Sequence, residues 1–147
     1  TMERLLSDVD ASSPEVLVVD YVQRFSPPQG GEVNRAAFFS DVANGLKGLA
    51  LTRGVSVITA SQLGRAVEFR DDKVPTLADL KESGGLEEAP DQVMFIHVPN
   101  DPAGGNRRIG EFILAKQRNG PLGKVPVAFN GDTTDFQEVA EGEPDPF

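Results

Sequence analysis

With 147 residues the chain is long enough to bury one hydrophobic core and short for two, so it reads as a single domain. A composition of 39% hydrophobic and 25% charged residues excludes collagen-like, mucin-like and fully disordered classes, and the lack of cysteine excludes disulfides, thiolate zinc sites and a cysteine nucleophile. The net charge of −9 gathers at the end, where Asp132, Asp135, Glu138, Glu141, Glu143 and Asp145 meet no Lys or Arg, while residues 1–131 carry 17 acids against 14 bases; this balance argues mildly against a free nucleic-acid binder.

The segment Glu15-Val-Leu-Val-Val-Asp20 holds four consecutive apolar residues, mostly β-branched, and predicts a strand buried on both faces, as in a parallel sheet. Ser26–Gly31 is a Pro/Gly loop. From Glu32 to Arg53 the residues Val33, Ala36, Phe39, Val42, Ala43, Leu46, Leu49 and Ala50 recur at three and four, a helix face that Gly54 should end. Val55–Ala60 predicts a second buried strand, and strand, helix, strand implies a right-handed parallel crossover. After a charged loop, Thr76-Leu-Ala-Asp79 resembles a capping box and predicts a short helix to about Ser83. Gln92–Val98 is a third apolar strand, followed by a loop over Pro99–Gly105. Gly110–Ala115 and Val125–Phe129 flank Asn119-Gly-Pro-Leu-Gly123 and predict a β-hairpin with a long turn. No apolar run approaches the roughly 18 residues that span a bilayer, and the N-terminal stretch lacks the order of a signal peptide, so neither membrane insertion nor export is expected.

Three features carry chemistry. Asp20 ends a predicted parallel strand, at the crevice where α/β sheets hold ligands; such a carboxylate either orients the water shell of Mg2+ or simply caps the next loop. Ser61-Gln62 ends the second strand at the same crevice, and a neutral amide there suits a sensor of the γ-phosphate as readily as an ordinary polar strand end. Lys116 and Arg118 would share one face of an extended strand beside the hairpin turn, either to meet an anion held by a neighbouring subunit or as charges that protect an edge from aggregation.

The strings Asp20-Tyr21-Val22-Gln23, Ser61-Gln62-Leu63-Gly64-Arg65, Asp72-Lys73, Asp79-Leu80-Lys81-Glu82-Ser83-Gly84 and Lys116-Gln117-Arg118-Asn119-Gly120-Pro121 occur in that order. Together they resemble, from about Val16 to Phe129, the C-terminal half of the RecA-like motor domain of bacterial replicative DNA helicases, the hexameric DnaB family. The resemblance implies that Asp20 is the Walker B carboxylate, touching Mg2+ through water, that Gln62 is the phosphate sensor, and that Lys116 and Arg118 form the finger reaching the adjacent subunit's ATP. It assigns Lys81, Glu82 and Gly84 to the loop that follows single-stranded DNA through a central channel. Lys81 stands where the family usually has Arg, Glu88-Ala89 where it has Gln-Asp, and Val98 where it has Arg.

No G-x-x-x-x-G-K-[ST] string is present, so the amides and Lys that cradle the β- and γ-phosphates are missing from this sequence, as is the family's catalytic Glu. The expected fold is therefore α/β, a partial RecA-like P-loop NTPase core without its phosphate-loop strand, with a mostly parallel sheet and a C-terminal β-hairpin. In the family that strand lies between those at Val55–Ala60 and Gln92–Val98; closure by direct pairing of these two, by a swapped strand or by the N-terminal segment is expected instead. Residues 1–131 are assigned to the motor domain and 132–147 to a flexible acidic tail. The leading expectation is a portion of an ATP-dependent, homo-hexameric DNA helicase, inactive alone, cytoplasmic and nucleoid-associated, with primase and a helicase loader as partners. The abrupt start favours a fragment over a naturally truncated relative. A non-catalytic module that joins or regulates a helicase ring is the alternative, and a recombinase-like or circadian-clock-type ATPase ranks below both because those lack the Lys116–Pro121 string.

Overall fold

Met2, Leu5, Leu6 and Val9 fall at positions i, i+3, i+4 and i+7, and Thr1 precedes them as a cap whose hydroxyl accepts from the Arg4 N–H at 3.4 Å. The result is helix α1 (Met2–Ser12), ended by Ser13 in the left-handed region. The computed structural model describes residues 1–27, 34–83, 85–99 and 105–139, with only the backbone of residues 81–83.

Strand β1 (Val16–Val19) follows, then a 3-10 turn at Val22–Arg24 and helix α2 (Arg35–Arg53). Asn34 caps α2, its side-chain oxygen accepting from the Ala37 N–H at 3.2 Å, and Gly54 stops it with φ 66°, as its sequence position predicts. Glu32 and Val33, expected in this helix, lie outside the described residues. Strand β2 (Ser56–Thr59) returns parallel to β1, Val16 opposite Ser56 and Val19 opposite Thr59, so the predicted β-α-β unit is present. The helix expected after Thr76 is a 3-10 helix over Leu77–Ser83, followed by one turn of α-helix, α3 (Gly85–Glu88).

Strands β3 (Gln92–His97), β4 (Arg107–Gln117), β5 (Gly123–Asn130) and β6 (Asp135–Glu138) form a four-stranded antiparallel sheet in that order. The predicted hairpin is β4 and β5, with Leu114 opposite Gly123. The expectation of a mostly parallel sheet holds for β1 and β2 only. Among the described residues β2 pairs with β1 and β3 with β4, so the expected direct pairing of β2 with β3 is not found, and the N-terminal segment, the other closure within the chain, is a helix. Asp135–Glu138, expected to belong to a flexible tail, pairs with β5, Phe136 opposite Phe129 with ring centroids 4.9 Å apart.

The single domain expected from length divides into two compact units, Thr1–Arg65 with Ala78–Pro90, and Ala66–Leu77 with Asp91–Phe147. In the first, Phe39, Val42, Ala43 and Leu46 of α2 pack with Val22, Leu86 and Ala89, while Leu49 joins Val9 and Val55. Burying each larger side chain of this set is worth about 1.5–3 kcal/mol. Leu17 and Val57 face α1 and α2, but Val16, Val18 and Ile58 are 51%, 66% and 59% exposed, so β1 and β2 are covered on one face and not on both. In the second unit Phe95, Ile113, Val127 and Ala128 are buried. Among the described residues no helix is long and apolar enough to cross a membrane.

Candidate active site

Because β1 and β2 are parallel, their C-terminal ends share one edge, and the chain that follows each strand emerges there. Asp20 is exposed immediately after β1; the peptide joining it to Tyr21 is cis. The Val22 N–H then donates to the Ala60 carbonyl at 2.9 Å, and the Ala60 N–H to the Val19 carbonyl at 3.1 Å, which continues the pairing of the two chains past the strand ends. Gln62 is exposed two residues beyond Ala60. Its main chain is held by Gln23: the Gln62 N–H donates to Gln23 Oε1 at 3.2 Å, and Gln23 Nε2 donates to Ser61 Oγ at 3.0 Å.

Two clefts open on this edge of the first unit. One, of about 240 Å³, is bordered by Asp20, Tyr21, Arg4 and Arg24, and the other, of about 130 Å³, by Gln23, Arg35, Gln62, Gly64 and Asp79. Arg35 lies over the Phe39 ring, 5.7 Å from its centroid, so its guanidinium is held by the first turn of α2 at the second cleft. The segment after Gln62 is tied to the 3-10 helix of residues 77–83 by the Gly64 N–H donating to the Asp79 carbonyl at 3.0 Å. That helix carries the backbone of Lys81 and Glu82; Gly84 lies outside the described residues.

Lys116 and Arg118 belong to the second unit. Lys116 is half-buried near the end of β4, opposite Val93, and Lys116 and Gln117 run past β5 with pairing only to β3. Met94 stands opposite Leu114, so Ala115 is an extra residue, a β-bulge. Arg118 is one residue past the strand, and the pairing with β3 runs on through it. Its N–H still donates to the Asp91 carbonyl at 3.0 Å, and its Nε lies 3.5 Å from Asp91 Oδ1. That ion pair is half-exposed and adds little stability, but it stations the guanidinium at the base of the turn. Gln117 locks the turn from both ends of its amide, accepting from Gln92 Nε2 at 2.8 Å and donating to the Pro121 carbonyl at 3.2 Å.

The structure thus brings Asp20, Gln62 and the backbone of Lys81 and Glu82 into one unit, and carries Lys116 and Arg118 on the hairpin of the other. Pattern reading missed Gln23, Gln117 and Arg35. The first two lie inside the strings that carry the resemblance, yet a clamp between residues 39 positions apart leaves no spacing signal; Arg35 was visible only as the cation after a cap residue.

The parallel pair β1 and β2 with its crossover helix belongs to an α/β fold of the RecA-like class, the fold of the solved structures that the chain matches. A solved ATPase domain matches this chain with a TM-score of 0.84 at 32% identity, over 95% of this chain and 52% of that one. A second, titled as a DnaB-like replicative helicase and its interactions with primase, matches with a TM-score of 0.77 at 34% identity, over 88% and 33%. Residues 2–138 match the DnaB-like helicase C terminal domain, and the chain belongs to that family. The replicative DNA helicase DnaB of Haemophilus influenzae is 40% identical over 129 residues, and that of Rickettsia felis 37% over 140. This chain spans 27% and 28% of the length of these two relatives.

Proposed function

We propose that this chain is the C-terminal portion of the motor of a ring-shaped, ATP-dependent replicative helicase, which unwinds duplex DNA by moving along one strand. The observation that carries this is that Asp20 and Gln62 follow two adjacent parallel strands on one edge of the sheet, Asp20 directly after β1 and Gln62 three residues after β2, in a chain of this family. The mostly parallel sheet is completed by the phosphate-loop strand of a longer polypeptide, which also supplies the anion-binding amides and the catalytic Glu that this sequence lacks. Alone, the 147 residues are inactive as an ATPase.

The residues present fit a Mg2+-nucleotide. Among the described residues no cluster of three or more His, Cys, Asp or Glu could hold a metal by protein ligands alone, whereas Asp20 offers one exposed carboxylate in an open cleft. That is the donor set of an ion that keeps its waters and leans on phosphate oxygens. Such an ion neutralises charge developing on the transferred phosphoryl group. Asp20 orients its water shell, and Gln62, able to donate and accept, registers the γ-phosphate. Lys116 and Arg118 place positive charge on the neighbouring subunit's nucleotide, a contribution worth about 10³–10⁵ in rate in phosphoryl transfer.

Lys81, Glu82 and Gly84 follow single-stranded DNA, with backbone N–H groups donating to phosphate oxygens, so a net charge of −9 is no obstacle. One cation per copy binds weakly; six copies around a channel add their contacts. The assembly is a homo-hexamer acting on cytoplasmic DNA, with primase and a loader as partners. The test is to mix complete Arg118→Ala subunits with complete Asp20→Ala subunits, each inactive alone. Shared sites predict that mixed rings regain turnover where an intact Asp20 meets an intact Arg118. Mixed rings that form at every ratio and never hydrolyse ATP refute the shared site.

A further inference from the structure

Gln62 lies three residues past Thr59, the last paired residue of β2, in irregular chain. A side chain that is to register a phosphate must be held in place, and regular structure does not hold this one. Gln23 does. Its own backbone is fixed: it sits in the 3-10 turn of Val22–Arg24, Val22 is fully buried, and the Val22 N–H is bonded to Ala60. Its amide then reaches across to the other strand's extension. The Gln62 N–H can only donate, so the Gln23 oxygen must face it at 3.2 Å, which turns the Gln23 NH2 toward Ser61 Oγ at 3.0 Å. The orientation of the amide is thereby determined by its partners.

We infer that Gln23 is a positioning residue for the nucleotide-responsive edge: one amide clamps the turn that follows Asp20 to the Ser61 hydroxyl and the Gln62 main chain, fixing the distance between the acid and the sensor. The inference rests on the reading of Gln62 as the phosphate sensor. It assigns to Gln23 no contact with nucleotide, so its loss should slow the chemical step and leave nucleotide affinity alone. A misplacement of about 1 Å at a reacting group can cost on the order of a hundredfold in rate.

The experiment uses the complete polypeptide, assembled as rings, with ATP turnover measured against ATP concentration. Gln23→Met keeps the length of the side chain and removes its hydrogen bonds to Ser61 and Gln62. The expected result is a kcat lower by about tenfold to a hundredfold with KM changed by less than about twofold, and no further loss when Gln23→Met is added to Gln62→Ala. A kcat equal to wild type, or losses that multiply in the double variant, overturns the inference. If Gln62→Ala itself turns over as wild type, the sensor reading fails, a different outcome from an impaired Gln62→Ala beside an unimpaired Gln23→Met. Ser61→Ala cuts the same clamp from the other side should Gln23→Met fail to fold. It should lower kcat in the same direction with KM unmoved, and wild-type kcat for it overturns the inference equally.

Discussion

Gly85 and Gly48 turn one substitution, glycine to alanine, into two effects of opposite sign. A Cβ built on Gly85 at the start of α3 would lie 2.5 Å from both Cα and Oγ of Ser40 and 3.0 Å from its Cβ, and Ser40 is in the middle of α2, where the backbone has nowhere to go. Ordinary contact begins near 3.4 Å, so the two elements must part by roughly 1 Å, opening the packing of Leu86 and Ala89 on Phe39 and Ala43. Forced overpacking costs about 1–3 kcal/mol, which exceeds the gain of at most about 1 kcal/mol from replacing a helical glycine. Gly48, inside α2, has nothing within 4 Å of a built Cβ, so only the gain remains and Gly48→Ala should stabilise by about 0.5–1 kcal/mol. With a urea slope of about 1–3 kcal/mol/M, the two midpoints move apart by roughly 1 M, Gly85→Ala falling and Gly48→Ala rising, by circular dichroism at the helix band. A Gly85→Ala midpoint at or above wild type refutes the close-approach argument. Gly85 directly follows the segment assigned to DNA, so the same variant in complete rings should weaken single-strand binding as well.

Lys81→Ala in assembled rings should lower single-strand affinity and reduce the slope of log affinity against log salt, by about 1 for each phosphate no longer neutralised; unchanged affinity and slope remove this segment from the DNA path. The Asp10–Arg53 pair, with Arg53 Nη2 donating to Asp10 Oδ2 at 3.0 Å, gives a pH signature. The hydrogen bond from Arg53 holds the Asp10 carboxyl below its ordinary value of 3.8, so the stability it contributes is present above that value and is lost as pH falls through the lower folded one. Asp10→Asn should therefore flatten the acid limb of stability below pH 3.8, most visibly at low salt, and an unaltered limb contradicts the assignment.

Where a segment's burial follows from its own composition, the sequence announced the element. The strands at 16–19, 56–59 and 92–97, the long helix with its Gly54 stop and the hairpin all carry their pattern internally. Helix α1 went unpredicted although Met2, Leu5, Leu6 and Val9 keep the helical spacing and Thr1 supplies the cap, because its acids and serines dilute the apolar pattern. Strand β6 was not legible. Asp-Phe-Gln-Glu holds one apolar residue, and its order comes from backbone bonds to β5 and from Phe136 against Phe129. The apolar runs of β1 and β2 also promised cover on both faces, because composition reports what a strand would accept and not what stands beside it. At the candidate site, Asp20 and Gln62 stood out because predicted strand ends are visible in sequence, while Gln23 was passed over because its hydrogen bonds depend on which residue lies across from it.

The bulge at Ala115 decides more than the local bend of β4. Leu114 and Lys116 are two residues apart and on a regular strand would share a face, yet they stand opposite Met94 and Val93, neighbours on β3 that point to opposite faces. The extra residue at Ala115 therefore turns Lys116 to the face away from Leu114 while its pairing with Val93 stays in register. Deleting Ala115 would restore a regular ladder with the lysine still opposite Val93, so a relative one residue shorter in this stretch can present its lysine on the same face. The residue on β3 that stands across from the cation is thus a surer guide to equivalence than a count of residues from the core position at Ile113.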